Sequence, residues 1–496
     1  MSQTYLAFDL GASSGRAVIG RFDGSAVELE EIHRFANGPI SVAGGLYWDA
    51  LRLYDEMLAG LRKCARISGP EPAGIGIDTW GVDFALLDDV DELLGNPHCY
   101  RDTRVQGMLE KALSRVSREA IFEQTGLQFL EINTLYQLLS MAQKKPQRLR
   151  MASTFLMMPD LFNFWLTGRK VCEFSNATTT QFYNPRTGAW ATDLLDRLGI
   201  PADMLPEIVP PGTPLGPLRP EIAADAGIRS THVIAPACHD TGSAVAAVPF
   251  SDADAAYISS GTWALLGAEL QAPAVTPAAL RHNFTNEGGV CGTYRFLKNI
   301  TGLWIVQECR RIWENQGHAF SFAELVRLAE AAPALTSFVD PDHSDFLEPG
   351  DMPSRIRTYC RRTGQNEPAT EGAVIRCALE SLALKCRCVL EDLESVLDRR
   401  LHTIHVVGGG IRNALLNRFT ADATGRPVVA GPAEATALGN ILMQVYARGE
   451  IDSLAGIREV VRNSTEIVTF EPDGGDAWED AYARFRQLLN VGTNVH

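Results

Sequence analysis

The chain has 496 residues, 46% hydrophobic and 21% charged, with a formal net charge of −15. That size supports two or three domains with cores that need no disulfide or metal staples. The acidic balance argues against nucleic acid or an anionic membrane as the main partner, while local donors can still hold an anionic nucleotide.

In chain order, Tyr5 to Phe8 is predicted as a strand. A small-residue turn and a second strand, Ala17 to Phe22, follow. A third strand is expected from Ala26 to Phe35. A helix is expected from Tyr47 to Ile67, with Leu51, Tyr54, Met57, Leu58, Leu61 and Ala65 at helical spacing. Gly74 to Asp88 reads as strand, polar knuckle, strand, with Asp78, Thr79, Trp80 and Asp83 in the knuckle. Helical patterns run from Arg104 to Leu113 and from Leu135 to Gln143, and another starts at Met158. Ser175 to Thr180 is expected as an exposed strand, and the proline-dense stretch from Pro201 to Pro220 as a long loop or linker. A short strand at Val233 to Ala235 leads into Cys238-His239-Asp240-Thr241.

Pro249 to Ala255 marks a boundary, giving domains of 1–248 and 249–496. Beyond it, Ala256 to Gly267 repeats the opening design: apolar strand, Ser-Ser-Gly-Thr turn, apolar strand. Helices are expected from Ile300 to Trp313, Phe322 to Leu328, Glu371 to Leu397, Leu415 to Ala423, Glu434 to Ala447 and Ala477 to Leu489. Strands are expected at Val428-Val429 and at Ile404 to Val407, the latter closing on Gly408-Gly409-Gly410.

The start, Met1-Ser2-Gln3-Thr4, lacks the basic and long apolar regions of a signal peptide, and no apolar run nears ~18 residues, so no membrane span is expected. Ten scattered cysteines contain no C-x-x-C pair, which favours reduced thiols and a cytoplasmic location. Cys360 and Cys377 meet only if a loop folds back on a helix.

Two small-residue hairpin turns, one per half, offer backbone N–H groups and hydroxyls suited to a polyphosphate. Three glycines after a strand let a flat base lie against backbone. No Walker loop is present and the opening lacks G-x-G-x-x-G. Asp9 at a strand end can hold Mg²⁺ directly or through water. Asp240 is either a helix N-cap or a carboxylate placed to take a proton. Arg16 contacts phosphate or faces solvent. Asp83 bonds sugar hydroxyls or is a turn acid. Trp80 faces a sugar ring or packs in the core. Asn299 reads adenine or ribose, or caps a helix from Thr301. His239 suits a neutral pocket donor better than a base.

Several of these blocks together carry a resemblance. Asp9 to Arg16, Ser259-Ser260-Gly261-Thr262-Trp263, and Gly408-Gly409-Gly410 with Asn413 resemble the two phosphate motifs and the adenosine motif of the FGGY carbohydrate kinases. Ala-Ser-Ser stands in the first turn where many members carry Gly-Thr-Ser. Ile77 to Asp83, Ala177 to Gln181, His239-Asp240-Thr241, Asn286 to Gly289 and Leu297 to Trp304 narrow the likeness to ketose kinases of the L-rhamnulose type.

The resemblance implies an α/β fold of two RNase-H-like domains with the active site in the cleft between them. It implies ATP with Mg²⁺, and phosphoryl transfer to O1 of a ketose: L-rhamnulose first, L-fuculose or xylulose as alternatives. It assigns Asp240 as the base, Asp9 to the metal, and Gly81, Asp83, His239, Thr241 and Trp80 to the sugar. It assigns Ala12, Ser13, Ser14, Gly15, Arg16, Thr262, Asn299, Gln307, Gly409 and Gly410 to ATP. A nucleotide-binding protein without catalysis is the rival from another class.

Overall fold

A computed structural model describes residues 2–229 and 231–492. The chain divides into two compact units. The first is Met1–Pro249 with Glu269–Phe296 and Glu434–Thr465; the second is Phe250–Ala268 with Leu297–Ala433 and Glu466–His496. Among the described residues no helix is long and apolar enough to cross a membrane.

The first unit is organised on a six-stranded sheet in the order Thr213–Pro217, His232–Ala235, Gly74–Thr79, Gln3–Leu10, Ser14–Phe22, Val27–Ala36. Gly74–Thr79 lies parallel to both of its neighbours, and the opening hairpin and its third strand are antiparallel. Parallel neighbours in one sheet put several strand C-termini side by side, so Asp9 and Asp78 stand in register. The bridge from Thr79 to His239 brings the loop before Asp240 to the same end.

The sheet's apolar residues are covered by the helix Ala50–Ser68, capped by the Asp49 carboxylate accepting from Arg52 N at 3.2 Å. Its buried stripe is Leu53, Met57, Gly60, Leu61 and Cys64, and a Cβ at Gly60 would lie 2.7 Å from the Phe8 ring. Leu51, expected on that face, is 62% exposed because the true stripe is set two residues on.

The helix Ala435–Ala447 belongs to this unit and crosses the helix Asp240–Ala246 so closely that a Cβ at Gly439 would overlap the Ser243 carbonyl oxygen. Its next turn holds the sheet through Asn440 Nδ2, donating to Asp78 Oδ2 at 2.6 Å, and Gln444 Nε2, donating to Leu6 O at 3.0 Å.

The other large sheet has the strand order Thr285–Gly288, Tyr294–Thr301, Trp263–Leu270, Ala255–Ser260, Thr403–Val407, Val428–Ala430, Val468–Phe470. Again a hairpin is flanked by two parallel neighbours and closed by an antiparallel strand. The internal repeat read from the turns is therefore a repeat of topology. The helix Glu371–Leu397 has the expected bounds, capped by Thr370 and ended by Asp398 in the left-handed region.

Four expectations are corrected. The proline-dense stretch contains the edge strand Thr213–Pro217, whose ladder slips between Pro214 and Gly216; an edge tolerates proline because one side of the strand needs no donor. Phe174–Ala177 and Thr178–Thr180 are buried helical turns rather than an exposed strand. Each threonine hydroxyl there donates to the carbonyl three residues back, at 3.0, 2.8 and 2.7 Å, which overrides β-propensity. Arg104 lies in a short 3₁₀ turn, and the helix begins only at Met108. Ile300 and Thr301 end a strand, and the helix expected there begins at Trp304. All ten cysteines are free; Cys360 lies on the helix Met352–Arg362 and Cys377 on the helix Glu371–Leu397.

Candidate functional site

In the first unit the opening turn is closed by Gly11 N donating to Ser14 O at 2.9 Å, with Asn37 Nδ2 on Gly11 O at 2.8 Å. A Cβ at Gly15 would collide with the Phe35 ring, which explains the glycine there. Ser13 is exposed, and Ala12 and Ser14 are partly exposed. Arg16, paired across the ladder with Asp9, donates to Asp9 Oδ2 from Nε at 3.0 Å and Nη2 at 2.7 Å, while Nη1 bonds Glu434. Both of these bonds to Asp9 fall on the same oxygen, Oδ2.

Among the described residues no group of three or more acidic, His or Cys side chains is arranged to hold a metal alone. Asp9 fits Mg²⁺ nevertheless, since that ion keeps several waters and takes phosphate oxygens besides one or two carboxylates.

No role for Asp78 is legible in the sequence. It is fully buried, and its Oδ1 has no hydrogen-bond partner. Burial first, then the charges of Asp9 and Asp240, hold its pKa well above the carboxylate range, against the hydrogen bond from Asn440.

Asp240 is the first residue of its helix, and His239 takes the cap position. Asp240 Oδ1 accepts from Thr241 N at 2.5 Å and Thr241 Oγ1 at 3.1 Å. That leaves Oδ2 without a partner among the described residues, on a side chain that is 29% exposed. Desolvation raises its pKa and the charge of Asp9 adds to the rise, while the Thr241 bonds oppose it. One oxygen is thus tethered and the other is free to take a proton.

His239 is buried, with Nε2 at 3.5 Å from Asp240 Oδ1 and Nδ1 at 3.0 Å from Nη2 of the fully buried Arg295. Glu287 Oε2 lies 3.1 Å from the same Nη2. The backbone of this loop is fixed by Ser175 Oγ, accepting from His239 N at 3.0 Å, and by Glu173, accepting from Cys238 N at 2.9 Å.

The knuckle turns inward. Asp83 is fully buried; Oδ2 accepts from Trp48 Nε1 (2.6 Å), Trp80 Nε1 (3.0 Å) and Tyr100 N (3.1 Å), and Oδ1 from Gln137 Nε2 (2.9 Å). Burial pushes its pKa up to about 6. Both oxygens are occupied inside the protein, so Asp83 orders the two indoles instead of presenting an oxygen outward. Trp80 packs on Trp48 with ring centroids 4.2 Å apart, and Thr241 spends its hydroxyl on Asp240.

Gly81 remains partly exposed, and a Cβ there would sit 3.0 Å from the Thr179 side chain. Val82 follows at φ 65°, a strained setting for a β-branched residue. It is held by its N donating to Thr179 Oγ1 at 3.0 Å and by its O accepting from Thr134 Oγ1 at 2.7 Å.

In the second unit Gly261 N donates to Trp263 O at 2.9 Å, and the turn is gripped by Gly302 N on Thr262 O (3.1 Å) and Leu303 N on Gly261 O (3.0 Å). A Cβ at Gly302 would lie 2.6 Å from the Trp263 carbonyl carbon. Thr262 Oγ1 meets Gln307 Oε1 at 3.3 Å, so these two candidates are together. Asn299 lies within a strand and caps no helix. Gly408 adopts φ 84°, Gly410 leaves no room for a Cβ beside Ser260, and Gly409 has nothing within 4 Å of its Cβ position, an open backbone surface for a flat ring. Asn413 caps the following helix through Leu416 N at 3.0 Å.

Comparison with known proteins agrees with this layout. The N-terminal domain of the FGGY family of carbohydrate kinases matches residues 4–247, and the C-terminal domain matches residues 256–448. A rhamnulokinase of Bacteroides thetaiotaomicron is 44% identical over 489 residues, covering 99% of this chain and 100% of that protein. One of Bacillus subtilis is 39% identical over 468 residues, covering 94% and 95%. Among solved structures, a gluconate kinase from Lactobacillus acidophilus shares the fold with a TM-score of 0.82 at 17% identity, covering 99% of this chain and 98% of that one. A Plasmodium falciparum glycerol kinase with ADP does so at 0.77 and 17%, again covering 99% and 98%. With both family domains matched in order and full-length relatives above 30% identity, the chain belongs to the FGGY family of carbohydrate kinases.

Proposed function

We propose that this chain transfers the γ-phosphoryl group of ATP to O1 of L-rhamnulose, giving L-rhamnulose 1-phosphate and ADP in L-rhamnose degradation in the cytoplasm. The full-length relatives named rhamnulokinase support the substrate. The observation that carries the chemistry is Asp240, with Oδ1 tied to Thr241 and Oδ2 open.

Phosphoryl transfer asks little covalent chemistry of a protein; it asks for alignment and charge neutralisation. In this reading Asp240 Oδ2 accepts the proton of the attacking hydroxyl, a step that contributes ~10²–10⁴-fold. Gly81 and His239 line the sugar, and Asp83, Trp80 and Thr241 act from behind by fixing the knuckle and the base. Ala12, Ser13, Ser14, Gly15 and Arg16 meet phosphate, with Arg16 leaving its acidic partners to do so. Thr262, Asn299, Gln307, Gly409 and Gly410 receive the rest of ATP. Residues 1–248 then carry the base and bind sugar and phosphate, and 249–496 bind ATP. Asp9 would hold Mg²⁺, which would supply charge neutralisation of the phosphates when bound.

The test is a coupled ADP-release assay with L-rhamnulose, L-fuculose and xylulose. L-rhamnulose should give the highest kcat/KM; a higher value on another ketose overturns the substrate, and no ketose-dependent release overturns the kinase reading. Asp240→Asn should lower kcat by about 10²–10⁴-fold with ATP binding retained. Near-normal turnover in that variant would place the base elsewhere.

A further inference from the structure

We infer that Arg295 is a positioning residue that fixes the tautomer of His239, with the ring proton on Nε2 beside Asp240. The inference rests on the reading of His239 as a sugar contact. Arg295 is 0% exposed and is anchored by Nε donating to Gly288 O at 2.8 Å. Its Nη2 stands 3.0 Å from His239 Nδ1. A guanidinium has donors and no acceptor, so the nitrogen it meets must offer a lone pair. With Nδ1 accepting, the ring proton belongs on Nε2, the atom 3.5 Å from Asp240 Oδ1.

Glu287 competes for Nδ1, since its Oε2 lies 3.3 Å away and would favour a proton there. That oxygen is buried and has no hydrogen-bond partner among the described residues. The Arg295 contact has hydrogen-bond geometry and decides the matter. Glu287 instead balances the buried guanidinium charge at 3.1 Å.

The consequence is a division of labour at neighbouring residues. Asp240 has only acceptors to offer, and His239 presents a donor to a sugar oxygen without competing for the transferred proton.

The test reads the tautomer directly. Protein labelled with ¹⁵N-histidine, with the His239 signals assigned by their loss in His239→Asn, should show at pH 7.5 a protonated Nε2 and an unprotonated Nδ1. A protonated Nδ1, alone or in an imidazolium, overturns the inference, and this readout needs no folded Arg295 variant. In kinetics, Arg295→Met should lower kcat/KM for the ketose by about ten- to a hundredfold with the KM for ATP unchanged, and Arg295→Lys should restore most of the loss. Unchanged ketose kinetics in Arg295→Met would remove Arg295 from the role. If no ketose is phosphorylated by the wild type, the kinase reading fails while the ¹⁵N spectrum still judges the tautomer.

Discussion

The turn at Gly11–Ser14 and the turn at Gly261–Thr262 join similarly placed strands in sheets of like topology, but different forces hold them. The first is braced by charge: Arg16 reaches across the ladder to Asp9 and on to Glu434. In the second, backbone amides at Gly302 and Leu303 grip the turn, and glycine lets the chains touch. Under the proposed function, an ion-held turn would exchange partners on binding, Arg16 turning to phosphate and Asp9 to the cation. A turn held by backbone contact has no alternative partners and works by fixed geometry.

The largest effect that would break this contrast is at Asp9. Asp9→Asn frees Arg16 from one acid and removes the candidate cation ligand. Turnover should drop by about 10²-fold or more, with rising Mg²⁺ recovering part of it; a variant that turns over normally without extra Mg²⁺ would leave Asp9 with a structural role alone. Next comes Gly302→Ala. Its Cβ meets backbone at 2.6 Å, so the chain itself must move. We expect a loss of about 1–3 kcal/mol in thermal or denaturant unfolding and a raised KM for ATP, neither relieved by salt or metal. Wild-type stability in that variant would show that the second turn yields as the first does. Smallest is Glu434→Gln, where a side chain 37% exposed shares Arg16. The expected cost is under about 1 kcal/mol, and it should vanish in 1 M NaCl, where exposed charges are screened.

The elements that were legible in the sequence are those whose signal is local. Apolar periodicity gave the helix Glu371–Leu397 its bounds, and strand–turn–strand patterns gave both hairpins. Asn299 was misread as a possible cap because the bend after it comes from backbone contact with a turn some forty residues away, not from local propensity. Asp83 looked like a polar group awaiting a ligand, since a sequence does not reveal that Trp48, Trp80, Tyr100 and Gln137 converge on it. Arg295 and Glu287 were invisible as partners of His239 for the same reason: about fifty residues separate them, and only the packing of 269–296 with the first unit brings them there. The block Asn286-Glu287-Gly288-Gly289 was the one available signal, and it spoke for kinship rather than position.

Gly439 carries a further consequence. Glycine inside a helix lowers its intrinsic stability by about 1 kcal/mol against alanine, so Ala435–Ala447 is weak at its centre if considered alone. Its centre is also where no side chain separates it from the Ser243 carbonyl. The helix that begins with the proposed base and the helix that buttresses the sheet should therefore protect each other's amides. In hydrogen exchange the two should open as one cooperative unit, and loss of either would release the other.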